Sequence, residues 1–217
     1  MSDLRLHDYA ASCNCYKVRL LLALLERPYE RVPVDIFAGE TLTDAYAQMN
    51  PARSTPVLEV VPSRFLPESN AILLYLAEGT SFLPTDRMAR AQVVRWLLYE
   101  QTDVVPGVGG LRFRLQTGRL QPDDADAIHR RTAGEEVLAV LDHHLAQREF
   151  FVAGQYTIAD IGIYGYTHVA REAGYEMNRY PAVQAWLKRV AAQPRHIDDL
   201  AAYPPNARPG AGRSIYG

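Results

Sequence analysis

A chain of 217 residues, 48% apolar and 22% charged, is long enough for one large globular domain or two modest ones. Its formal net charge of −2 lacks the basic excess that nucleic-acid binding rewards, and no stretch reaches the roughly 18–20 apolar residues that span a bilayer. The opening "MSDLRLHDY" lacks the basic segment and apolar core of a secretory signal, and cysteines at 13 and 15 alone make no disulfide framework, so the expectation is a cytoplasmic protein.

In chain order, "DLRLHDY" alternates Leu4 and Leu6 at period two and reads as a strand, followed by a helix starting near Asn14. "YERVPVDI" reads as a second strand, and a short helical patch covers Leu42 to Met49. "STPVLEVV", "VPSR" and "RFL" suit an antiparallel pair joined by a Pro-Ser turn. "SNAILLYLAEG" is a helix with Ser69 or Asn70 near its start and Gly79 at its stop. One strand–helix–strand crossover and one late hairpin make a thioredoxin-like arrangement over residues 1–79, with "GTSFLPTD" supplying a linker at 80–86.

From 87 to 217 the pattern is helical. Val93, Trp96, Leu97 and Glu100 have amphipathic spacing, and "DDADAI" opens a long helix carrying Val137, Leu138, Leu141 and Leu145. In "VVPGVGGLRFRLQ" the glycines fit either close approach to a ligand or a bent helix. "GQYTIADI" fits a capping box formed by Thr157 and Asp160, with Tyr156 and Ile161 at staple positions. Pro181 and Pro194 bracket a last helix, and the Pro- and Gly-rich tail from Tyr203 is expected to be irregular, a disordered end rather than a cover. The fold class is therefore α/β followed by all-α.

Four stretches, "SCNCYKVRLLLALLERPYE", "NPARSTPVLE", "PESNAILLYLAE" and "GQYTIADI", resemble the glutathione transferase superfamily in order and spacing. The resemblance implies an N-terminal domain that holds glutathione as co-substrate, a helical domain that supplies the pocket for a second substrate, and a homodimer. Pro56 in "STPVL" is implied to be cis, turning the Thr55 backbone towards the cysteinyl unit, where an isolated proline would read as an edge-strand residue. Glu68 and Ser69 are implied to hold the γ-glutamyl ammonium and carboxylate at a helix entrance, an arrangement that by itself reads as a cap. Arg53 is implied to lie near glutathione; a solvated surface arginine is the plainer alternative.

Ser12 and Asn14 match the start of "T-x-N-G-x-K-V" in the nu class, with Ser for Thr and Cys15 in place of the glycine. A serine also stands at this position in the zeta class, whose "S-S-C" run departs from "S-C-N" here. A thiol with a pKa of about 8.5 is mostly protonated at neutral pH, and a hydroxyl donated at a helix N-terminus stabilises the thiolate. Ser12, with Asn14, is therefore the expected catalytic pair, and Tyr9 is a rival donor. Cys15 is expected to face the core and Cys13 to be partly exposed near the helix end.

Tyr9, Val108 and Phe113 are candidate walls of the second-substrate pocket. No metal is implied, because the histidines show no ligand spacing with the cysteines. The leading expectation is glutathione transfer to a small electrophile. Its alternatives are glutathione-dependent disulfide reduction of nu-like type and a non-catalytic interaction module.

Overall fold

The computed structural model describes residues 4–216. The chain divides into two compact units, Met1–Leu76 with Ile197–Gly217, and Ala77–His196.

The first unit holds β1 (Arg5–Asp8), α1 (Cys13–Leu24), β2 (Glu30–Pro33), α2 (Asp44–Met49), β3 (Val57–Val61), β4 (Arg64–Pro67) and α3 (Ser69–Ala77). Its sheet runs β2-β1-β3-β4, with β1 parallel to β2 and antiparallel to β3. The crossover through α1 and the β3–β4 hairpin are those predicted from the pattern. Pro62 and Ser63 make the turn, with Ser63 left-handed at φ 65° and its N–H donated to Glu59 Oε1 at 2.8 Å. Leu6, Leu20, Leu21, Leu22, Leu58, Ile72 and Leu73 form a fully buried core.

α1 is buried nearly all round, so its polar residues needed partners inside the fold. Arg19 is fully buried, donating Nη1 to Asp8 at 2.6 Å and Nε to both carboxylate oxygens of Asp199 at 3.0 and 2.9 Å. Asp199 belongs to the segment Ile197–Gly217, which ends in the tail from Tyr203. That segment was expected with the helical domain and disordered at its end, and it differs on both counts. Its fixed course comes from contacts within the first unit: the Tyr16 hydroxyl donates to Ile197 O at 2.7 Å, Ala201 N–H to Ala10 O at 3.1 Å, and Arg213 N–H to Phe37 O at 2.8 Å. Asn206 reaches Asp35 at 2.9 Å, and Phe37 packs against Tyr216. Proline and glycine exclude a long helix here, but they do not stop a chain from pairing backbone and side-chain groups with its neighbours.

The second unit contains α4 (Arg87–Tyr99), a wide π-helical stretch Glu100–Gly109, α5 (Gly110–Gln116), α6 (Ala125–Leu145), α7 (Ile158–Thr167) and α8 (Pro181–Ala191). The glycine-rich run is thus the distorted helix of the two readings. Pro106 lies inside it, lacking an N–H and crowding the carbonyl one α-turn back, and a widened turn accommodates both defects. Its glycines do permit close approach, between helices. A Cβ on Gly109 would lie 2.4 Å from the Tyr166 ring, and one on Gly134 of α6 would lie 1.9 Å from the Tyr175 hydroxyl. That hydroxyl donates to Gly107 O at 2.8 Å, tying the segment after α7 to the π stretch, with Gly134 of α6 packed against it. Gly134→Ala should therefore cost about 1–3 kcal/mol by overpacking, read as a lower midpoint in urea. An unchanged midpoint would mean that the helices are not held this closely.

No helix among the described residues is long and apolar enough to cross a membrane.

Candidate active site

Ser12 is the N-cap of α1, with extended backbone (φ −82°, ψ 121°), and its Oγ accepts the Cys15 N–H at 3.3 Å. This cap fills an acceptor position on the hydroxyl and leaves its proton available for donation outward. The turn is closed behind it by Ser12 N–H to Tyr9 O at 2.9 Å. Cys15 is fully buried, and its Sγ accepts the Tyr9 N–H at 3.4 Å. Burial pushes the Cys15 thiol up to about 12, against weaker downward pulls from Thr55, Tyr9 and Ser12, so it is a neutral core group at physiological pH. Cys13 is buried as well, which corrects the expectation of partial exposure. The side chain at this first helical position turns into the fold instead of following the chain end to solvent.

Asn14 and Ser69 are brought together. Ser69 is the first residue of α3 and is buried, and its Oγ donates to Asn14 Oδ1 at 3.2 Å. The same Oδ1 accepts the Lys17 ammonium at 2.8 Å. Lys17 is fully buried, a state lysine rarely adopts without partners. Glu68, just before α3, stands at φ 73°, a left-handed backbone that a residue with a side chain adopts only at a cost of about 1–3 kcal/mol. Its carbonyl accepts the Ile72 N–H at 2.9 Å, opening the helix. The strained residue and the helix start it feeds are the pair expected to meet an α-amino acid end.

Across from them the Thr55–Pro56 peptide bond is cis, directly ahead of β3. The loop before it is held through Ser54, whose carbonyl accepts the Tyr46 hydroxyl at 2.9 Å and the Asn50 amide at 2.9 Å. Arg53 is left-handed at φ 55°, and its Nη1 donates to Thr41 O at 3.3 Å and Thr43 O at 3.2 Å. Its guanidinium thus ties the loop before α2 as a structural staple.

The three proposed pocket walls are not alike. Tyr9 is buried edge-on to Phe37 with ring centres 5.9 Å apart. Its hydroxyl has no hydrogen-bond partner among the described residues, and burial raises its pKa. Val108 is fully buried and so offers no surface to a ligand, because it continues the buried face of Val104 and Leu111 along the helix. Phe113 is half-buried beneath the Arg119 guanidinium, 4.8 Å from its ring centre. Among the described residues no three His, Cys, Asp or Glu side chains gather as metal ligands would.

The "Glutathione S-transferase, N-terminal domain" family matches residues 6–81 and the "Glutathione S-transferase, C-terminal domain" family residues 95–194. The chain belongs to the glutathione transferase superfamily. A glutathione S-transferase crystal structure from Pseudomonas fluorescens is similar at 40% identity and a TM-score of 0.88, over 92% of this chain and all (100%) of that one. A second structure from the same species, a glutathione transferase family member with two glutathione bound, is 26% identical with a TM-score of 0.78, over 88% of this chain and 89% of that one. The disulfide-bond oxidoreductase YghU of Escherichia coli is 32% identical over 81% of this chain and 64% of its own length. In this glutathione transferase fold the thioredoxin-like sheet is followed by helices, as the sequence pattern implied. Lys17 is the residue that sequence reasoning passed over. It stands in "SCNCYKVRLLLALLERPYE" three places after Asn14, the spacing that puts two side chains on one helix face.

Proposed function

We propose that the protein is a glutathione transferase that binds glutathione along its thioredoxin-like unit and activates the thiol for attack on a small electrophile. The observation carrying this reading is the Ser12 hydroxyl, which caps α1 through its oxygen and keeps a proton to donate at a helix N-terminus. A thiolate placed there gains that hydrogen bond, the adjoining backbone N–H groups and the positive end of the helix, each of which favours the ionised sulfur. Thr55 would pair its backbone with the cysteinyl unit as one strand pairs with another. Ser69 and the start of α3 would receive the γ-glutamyl carboxylate, and Glu68 its ammonium. The electrophile then bonds to sulfur as its leaving group departs with the electron pair.

The Ser12/Asn14 pair and the similarity to a disulfide-bond oxidoreductase favour a second reading, glutathione-dependent disulfide reduction. There two glutathione thiols are oxidised to glutathione disulfide while the substrate disulfide is reduced to two thiols. Buried Cys13 and Cys15 leave such a reaction to the bound glutathione. We also take the chain to be a homodimer and a cytoplasmic protein; the exposed Met88, Leu98, Ile128 and Val140 of the helical unit suit a partner surface.

Calorimetry with glutathione, then turnover of an aryl halide and of a small mixed disulfide, tests these readings. Binding with aryl-halide turnover is expected. Disulfide turnover alone would favour the second reading, and no binding would favour an interaction module.

A further inference from the structure

We propose that Lys17 is a positioning residue of the thiol site, fixing and polarising the Asn14 amide so that its N–H donors help keep the glutathione sulfur ionised. This rests on the glutathione reading above and adds to it a buried residue outside the expected set.

The geometry dictates which way the Asn14 amide must face. Oδ1 receives two donors, the Lys17 ammonium at 2.8 Å from its own helix and the Ser69 hydroxyl at 3.2 Å from α3. A flipped amide would set its NH2 against an ammonium, so Oδ1 is the only atom that can occupy this position. Nδ2 is thereby committed to the other side, and among the described residues it makes no hydrogen bond. Asn14 is only half-buried and stands two residues after Ser12. Its two N–H donors are available at the turn where the sulfur is proposed to lie.

Charge adds to orientation. Lys17 is fully buried, and a hydrogen bond from an ammonium polarises the amide it reaches. A carboxamide so polarised donates more strongly through its nitrogen. Ser69 joins the two ends of the ligand site, because the hydroxyl proposed to meet the γ-glutamyl carboxylate also holds the amide proposed to meet the sulfur.

The test compares wild type with Lys17→Met and Asn14→Asp, following thiolate absorbance of bound glutathione against pH beside calorimetric affinity. Lys17→Met keeps an unbranched apolar stem in the buried site. Asn14→Asp keeps an acceptor for Lys17 and Ser69, so it preserves their packing while removing the donors. Both are expected to bind glutathione within a few-fold of wild type and to ionise its thiol about one pH unit higher, losing about tenfold in turnover at neutral pH and recovering in alkali. Normal binding with an unshifted ionisation in Lys17→Met, whatever Asn14→Asp shows, would overturn the role of Lys17 and leave the enzyme reading standing. No glutathione binding by wild type would overturn both.

Discussion

Asp160→Ala is expected to lower the stability of the helical unit by about 3–5 kcal/mol, on the order of 10 °C in melting midpoint. The carboxylate is fully buried and satisfied by four donors. Oδ2 takes the Thr157 N–H at 3.0 Å and its hydroxyl at 3.1 Å, completing the capping box of α7. Oδ1 takes the Phe151 N–H at 3.1 Å and the Trp186 indole N–H at 2.9 Å, joining the preceding loop to α8. An isolated cap is worth about 1 kcal/mol. Removing this one also strands buried donors on Phe151 and Trp186, each costing about 1–3 kcal/mol. Thr157→Ala removes only the local half of the network and should cost less than half as much. Equal losses from the two variants in urea unfolding would mean that the long-range half contributes nothing.

The same carboxyl gives a pH dependence. Burial raises it to about 6 in spite of its donors, whereas an unfolded aspartate titrates near about 4. Between those values the folded protein holds more protons than the unfolded chain, so stability from this group falls as pH rises through the window and levels off above it. The gap between wild type and Asp160→Ala should accordingly be larger at pH 4 than at pH 7, by urea midpoints.

Ser12→Ala is expected to cut turnover by about a hundredfold at neutral pH while weakening glutathione binding only a few-fold. A hydroxyl aimed at a developing or resident negative charge contributes mainly where that charge is, and losing one such donor costs about 10²–10³ in related chemistry. The Ser12 Oγ also caps α1, so some stability, about 1 kcal/mol, should go with it. Ser12→Thr keeps the hydroxyl and the cap and should restore most of the rate. Parallel losses in affinity and turnover would assign the residue to binding alone.

Much of this molecule can be read from local pattern. Period-two leucines gave β1, the Pro-Ser dipeptide gave the hairpin, and Thr157 with Asp160 gave the start of α7. Each is a short-range signal whose physical cause lies within a few residues. What escaped depends on partners distant in sequence. The tail reads as disordered because its composition forbids a long helix, while its anchors, Arg19, Ala10, Asp35 and Phe37, stand more than 160 positions away. Lys17 carries no signal of its own until Ser69 and Asn14 are seen to meet beside it. Val108 looks like a pocket wall until the helix phase across the π stretch turns it inward. The long reach of Asp160 to Trp186 is likewise invisible in the capping motif that announces it.

The central claim is that a hydroxyl at the entrance to α1 holds the glutathione sulfur as thiolate. A crystal structure of the protein with glutathione tests it most directly. The sulfur is expected within hydrogen-bonding distance of Ser12 Oγ and beside Asn14 Nδ2, with the γ-glutamyl end at Ser69. A tripeptide bound with its sulfur turned away from Ser12 would contradict the account.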